Sequence, residues 1–117
     1  MADINLIRSA EINYLAKAGD SFAPPPVSFL IDGNPESFSG CSLKMQIRDF
    51  GNEIMKEITN GSGISIAANV VQYTIGATDM SEIKPGRYYY DVQKTDGSGI
   101  VSTIQHGGLT IKTDTTR

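Results

Sequence analysis

The stretch Lys84-Pro85-Gly86-Arg87-Tyr88-Tyr89-Tyr90-Asp91-Val92 constrains the fold more than any other part of the chain. Pro85 has no N–H to give a ladder, and Gly86 opens backbone angles closed to other residues. The pair therefore ends what precedes it and launches a new segment. From Tyr88 onward, aromatic and β-branched side chains favour an extended backbone. In a strand, Tyr88, Tyr90 and Val92 share one face, while Arg87, Tyr89, Asp91 and Gln93 share the other.

Turn signals recur along the rest of the chain at Gly19-Asp20, Asp32-Gly33-Asn34-Pro35, Gly51-Asn52, Asn60-Gly61-Ser62-Gly63, Asp96-Gly97-Ser98-Gly99 and Gly107-Gly108. A spacing of roughly 8–12 residues marks an antiparallel sandwich or barrel. Between the turns, Leu43, Met45 and Ile47 alternate with Lys44, Gln46 and Arg48, and Val71, Tyr73 and Ile75 alternate with Gln72 and Thr74. Half-buried strands read this way, so Leu43, Met45, Ile47, Val71, Tyr73, Ile75, Tyr88, Tyr90 and Val92 are the expected core. Further strands are expected at 11–17, 27–31, 53–58, 63–67, 99–105 and 109–112. A tyrosine just past a Pro-Gly corner sits where immunoglobulin-like sandwiches place a ring whose hydroxyl bonds back to the preceding loop. Tyr88 is the candidate for that bond. The fold class is thus all-β, an antiparallel immunoglobulin-like β-sandwich.

Residues 77–83 lack alternation and carry Thr78, Asp79 and Ser81, each able to cap a helical turn, so one short turn of helix is expected there. Pro24-Pro25-Pro26 cannot lie in a central strand, because three missing donors would break any ladder; they mark an edge, a crossover or an extended arm, and an edge or arm is expected. With 117 residues, the whole of 1–117 reads as a single domain. Residues 1–10 are expected to form an extended arm, and 113–117 a loose tail.

The net charge of -3 is mild and the ten basic residues are scattered, which argues against a nucleic-acid-binding face. One cysteine, Cys41, excludes an internal disulfide and a multi-cysteine metal site. No apolar run approaches the ~18 residues of a spanning helix, and residues 1–10 lack a secretory leader, so no membrane role is expected.

Reactive constellations are scarce. His106 stands alone beside Gly107-Gly108 and reads as a loop residue, since a catalytic histidine needs a paired partner. Cys41 reads as a small buried hydrophobe with no activating cluster. Asp91 and Asp96 lack the close alternating ligands of a calcium loop and read as solvated acids. Asn60-Gly61-Ser62 matches a glycosylation acceptor but reads as a hairpin turn between two apolar strands, which explains it without modification. The glycine pairs lack the Gly-Lys-Ser/Thr ending of a phosphate loop. No catalytic, cofactor-binding or metal-binding residue is assigned, and no enzyme activity is expected. Tyr89, pointing away from Tyr88 and Tyr90, and its neighbour Arg87 are candidate contact residues, being types enriched among interface anchors. Pro24, Pro25 and Pro26 join them as a proposed contact segment.

The order of these motifs resembles small bacteriophage virion proteins of an immunoglobulin-like type, including the amino-terminal modules of upper baseplate proteins and related tail or capsid accessory proteins. Four stretches carry the likeness: Gly19-Asp20-Ser21-Phe22, Leu43-Lys44-Met45-Gln46-Ile47-Arg48, Gly61-Ser62-Gly63-Ile64 and Pro85-Gly86-Arg87-Tyr88-Tyr89-Tyr90-Asp91-Val92. The tri-proline insert departs from that pattern. The resemblance implies a non-enzymatic protein–protein adaptor in the tail, baseplate or fibre-attachment region, or else a capsid decoration protein. Its partners would be other virion proteins, its copies would assemble in the host cytoplasm, and its place would be the virion. A carbohydrate-binding module shares the fold but ordinarily shows exposed aromatic platforms, and this chain has no tryptophan.

Overall fold

The computed structural model describes residues 2–5, 10–31, 34–35, 38 and 40–113. In chain order these form β1 (Ala2–Asn5), β2 (Ala10–Glu11), β3 (Tyr14–Lys17), β4 (Val27–Ile31), β5 (Asn34–Pro35), β6 (Ser42–Arg48), β7 (Ile54–Asn60), β8 (Gly63–Ala67), β9 (Val70–Tyr73), α1 (Ala77–Met80), β10 (Gly86–Thr95) and β11 (Val101–Lys112). The strands join into one curled sheet in the order β1-β4-β9-β8-β7-β6-β10-β11-β2, with β3 also on β11 and β5 on β4. The fold-over lies between β7 and β8, whose pairing is limited to Thr59 with Gly63 and Asn60 with Ile64. Across a shared core, β4, β8 and β9 then face β6, β10 and β11. The result is the immunoglobulin-like sandwich that the turn spacing predicts.

Its body is antiparallel, through β6–β7, β6–β10, β10–β11, β8–β9 and β4–β9. Parallel pairs occur at the rims and at the seam: β1 with β4, β2 and β3 with β11, and β7 with β8. The part of the expected amino-terminal arm that is described therefore lies in the sheet, as β1 and β2. Residues 1 and 6–9 of that arm, and 114–117 of the expected tail, are outside the described residues.

All nine expected core residues are buried, joined by Phe22, Val27, Phe29, Ile64, Leu109 and Ile111. Full burial of each large apolar side chain contributes about 1.5–3 kcal/mol against chain entropy. Along β10 burial alternates, with Tyr88, Tyr90 and Val92 inward. At the corner, the Tyr88 hydroxyl donates to the carbonyl of Lys84 at 2.6 Å, the bond that the Pro-Gly corner predicts.

Several local expectations are corrected. Gly107-Gly108 is no turn, because β11 runs straight through it, and His106 is a strand residue opposite Asp91 and Glu11. The glycines serve close approach instead: a Cβ on Gly107 would overlap the carbonyl of Ile12, and Asn13 Oδ1 accepts from the Gly108 N–H at 2.8 Å. Asn60-Gly61-Ser62 is no hairpin, since β7 and β8 run parallel there and diverge. The hairpin of this region joins β8 to β9 through Ala68-Asn69, with Ala68 at φ 57°. Gly63 is fixed by the seam, where at φ 106° its Cβ would lie 2.7 Å from Ile58 Cγ2. The three prolines are a crossover between the halves, not an arm: Phe22 bridges Ile75, and the Pro24 carbonyl accepts from Gln72 Nε2 at 2.6 Å. The helical turn forms at 77–80 and continues as turns to Ile83, but no side chain caps its start. Asp79 pairs instead with Lys56 at 2.9 Å.

Candidate interaction surface

Polar chemistry concentrates in two places, one inside the sandwich and one outside. Inside, Gln105 is fully buried among three tyrosines. Its Oε1 accepts from the Tyr73 hydroxyl at 2.7 Å, and its Nε2 donates to the hydroxyls of Tyr14 at 2.9 Å and Tyr90 at 3.0 Å. Tyr90 in turn donates to the carbonyl of Ile12 at 2.6 Å. Burial pushes the hydroxyls of Tyr73, Tyr90 and Tyr14 above the ordinary tyrosine range, so all three stay protonated. Such a cluster ties β2–β3, β9, β10 and β11 together; its groups are spent on one another, and it offers no nucleophile.

Outside, the face of β6, β10 and β11 carries Arg87 and Tyr89. Arg87 is exposed at the start of β10 opposite Thr110, and Tyr89 lies between Arg48 and Gly108. Strand alternation brings Arg87 and Tyr89 to one face, as expected. Tyr89 is half-buried because the loop between β6 and β7 leans on it. Phe50 stacks on its ring at 6.0 Å and 12°, and its hydroxyl donates to Asn52 Oδ1 at 2.8 Å. That loop is held by its own bonds, from Glu53 N–H to Asp49 Oδ1 at 2.9 Å and from Asn52 N–H to the Asp49 carbonyl at 3.0 Å. Phe50 itself remains 74 % exposed. The same face holds a polar row in which Gln46 accepts from Arg48 and donates to Glu57 at 2.7 Å. Arg48 Nε and Asp91 Oδ1, both screened from solvent, have no hydrogen-bond partner among the described residues.

The prolines lie elsewhere. Pro24 is buried, Pro25 exposed and Pro26 half-buried. Pro24 and Pro25 border a groove of about 310 Å³ shared with residues 14–17 and 20–23. Pro24 is therefore engaged within the chain, and Pro25 is the one that presents its ring to solvent.

Phe50 is the residue that the sequence reading missed. The signal was present as an aromatic between Asp49 and Gly51-Asn52, since a turn tip cannot bury a large ring. Asp96, read as a solvated acid, accepts at Oδ1 from the N–H groups of Ser98 at 2.9 Å and Ile100 at 3.0 Å, building its own turn. Cys41 is half-buried before β6. Among the described residues no three histidine, cysteine or acidic side chains gather as a metal site, and no helix is long and apolar enough to cross a membrane.

No protein-family model matches the chain, and no curated protein sequence does. Among solved structures it is similar to the N-terminal domain of phage TP901-1 ORF48, with a TM-score of 0.64 and 14% identity over 94% of both chains. Weaker likenesses are to the fibronectin(III)-like modules of Clostridium thermocellum CbhA, at a TM-score of 0.46 and 10% identity over 97% of this chain and 98% of that one. CopC from Methylosinus trichosporium OB3b follows, at 0.41 and 12% over 64% and 66%. At these identities the shared property is the fold, and the phage domain shares it almost end to end.

Proposed function

We propose that the chain is a non-enzymatic structural subunit of a bacteriophage particle, an adaptor that docks on neighbouring virion proteins in the tail, baseplate or fibre-attachment region. The observation that carries this reading is the end-to-end match in fold to a phage domain. The outer face supplies the means. Exposed Phe50 stacks on half-buried Tyr89, on the face that also carries exposed Arg87. Aromatic rings and arginines dominate interface energetics when a partner excludes water around them. Pro25 and Pro26 are a second proposed contact, and the capsid surface is the alternative location.

The test is a purified particle of the phage that encodes the chain. Mass spectrometry should find the protein in stoichiometric amount, and an Arg87→Ala, Tyr89→Ala double variant should fold normally but incorporate poorly. Absence from mature particles would sink the structural role, whereas normal incorporation of the double variant would sink only the contact residues. One observation favours a glycan-binding reading: the Phe50 ring is exposed and nearly parallel to Tyr89, as a sugar-stacking platform would be. Binding on a glycan array that is lost in Phe50→Ala would establish it.

A further inference from the structure

Where the sheet folds over, β7 and β8 diverge and each is left with an edge that no described strand covers. The two edges are treated differently. Beside β7, α1 is drawn in by the Lys56–Asp79 ion pair, and residues 74–76 with Asp79 close a polar hollow of about 250 Å³ against residues 56–58. The strand also carries Lys56 and Glu57, charges that discourage pairing.

β8 has neither protection. The Thr74 N–H donates to the Gly63 carbonyl at 2.7 Å, so Gly63 faces β9, while the Ile64 carbonyl faces away and accepts from the Gly61 N–H at 2.9 Å. Alternation along an antiparallel strand then turns the N–H and C=O of Ser65 and Ala67 to β9 and those of Ile66 outward. No described residue pairs with that outward side of Ile66. Alongside runs an open groove of about 530 Å³ lined by Asn60, Gly61, residues 63–66 and Thr74. Its lining has no charged side chain, and Gly63-Ile64-Ser65-Ile66-Ala67 has no charge, proline or bulge of the kind that ordinarily blunts an edge.

We propose that the edge of β8 that no described residue covers is a strand-addition site that takes a short extended segment of a neighbouring polypeptide, uncharged where it faces the groove. An outward N–H and C=O on one residue are matched by the main chain of an added strand. The neutral lining sets the chemistry, because a charged side chain entering it would lose hydration with no counter-charge to replace it. Side-chain-free Gly61 leaves open space for a backbone to approach. Length argues against a second copy of this chain as the occupant. Two-fold pairing about Ile66 would form only two ladder bonds, whereas stable interfaces bury about 1,200–2,000 Å². So short an edge suits a segment already held nearby by other contacts, where effective concentration supplies the affinity. The site is separate from the Arg87–Tyr89 face and holds whether or not the neighbour is a virion protein.

The experiment is amide NMR on the isotope-labelled full chain, titrated to about 50 mM acetyl-Thr-Val-Thr-Val-Thr-amide, a concentration that stands in for the missing nearby contacts, and to its Glu-Val-Glu-Val-Glu and Lys-Val-Lys-Val-Lys counterparts. The neutral peptide should shift the Ile66 amide and slow its exchange, with smaller changes at Ser65 and Ala67, whose N–H groups already face β9. Both charged peptides should act at least about tenfold more weakly, the penalty for an uncompensated charge. Ser65→Lys should abolish the effect, while Ser102→Lys, a new charge on an exposed strand elsewhere, should preserve it. No change at Ile66, equal effects from charged peptides, or persistence in Ser65→Lys would overturn the proposal. So would a dimer in sedimentation that protects Ile66 and dissociates in Ser65→Lys, since the occupant would then be a second copy. Particle composition is read separately and decides none of these outcomes.

Discussion

The hydroxyl of Tyr73 on β9 donates to Oε1 of Gln105 on β11 at 2.7 Å, a bond that crosses the core from one half of the sandwich to the other. Tyr73→Phe removes the donor and strands a buried amide oxygen. The expected cost is about 1–3 kcal/mol, the desolvation penalty of an unsatisfied buried group. Urea denaturation of the variant beside the parent chain measures it, with an unchanged m-value showing that the same surface unfolds.

The same cluster predicts alkaline sensitivity. Burial raises Tyr73, Tyr90 and Tyr14 above their ordinary value in the folded chain, so at high pH the unfolded chain holds fewer protons than the folded one. Stability is then fully present below the unfolded tyrosine value of about 10 and falls as pH rises past it toward the folded values. Tyrosinate absorbance and circular dichroism should change together in one cooperative alkaline transition. Tyrosinate appearing at those three positions in a chain that keeps its fold would contradict the burial argument.

Gly107 makes a steric prediction. Its missing side chain is where the Ile12 carbonyl passes, and that carbonyl is also the acceptor of the Tyr90 hydroxyl. Gly107→Ala should push β2 and β3 off β11 and cost about 1–3 kcal/mol, as overpacking does. Gly108→Ala is the milder control, since its Cβ would meet Asn13 Oδ1 at 3.4 Å. Hydrogen exchange should show residues 10–17 losing protection in the first variant while β6 and β10 keep theirs.

How far the fold could be read from residues follows from which forces are local. The inward faces of β6, β9 and β10 were legible because alternation is a property of neighbouring residues, and the Tyr88–Lys84 bond because a corner and its tyrosine lie four residues apart. Gly107-Gly108 misled because a glycine needed for a turn and one needed for close approach look alike, and the approaching Ile12 is remote in sequence. The seam at Gly63 was hidden for the same reason, since parallel divergence of β7 from β8 depends on Ile58 and Thr74 crowding one backbone position. On the proposed contact face, the shared side of Arg87 and Tyr89 was legible from strand parity. The exposure of Phe50 was signalled by its turn tip, but its stacking on Tyr89 was not, because that pairing spans the β6–β10 register, and neither was the edge of β8 that no described residue covers, which arises where the sheet folds over.

Phe50 separates a structural role from an interaction role. At 74 % exposure it contributes little burial, and the loop beneath it is held by the carboxylate of Asp49 and backbone bonds that do not involve its ring. Phe50→Ala should therefore change stability by no more than about 0.5 kcal/mol, the usual range for surface substitutions, and leave the Tyr89–Asn52 bond in place. If the outer face is the contact surface, the same variant should incorporate into particles as poorly as Tyr89→Ala, because an aromatic anchor loses its contact area with its ring. Thermal denaturation and particle incorporation measured on one preparation check both halves. A folded Phe50→Ala chain that incorporates normally would move the contact surface away from the β6–β7 loop, and a loss of several kcal/mol would show that the ring is held by the fold and not reserved for a partner.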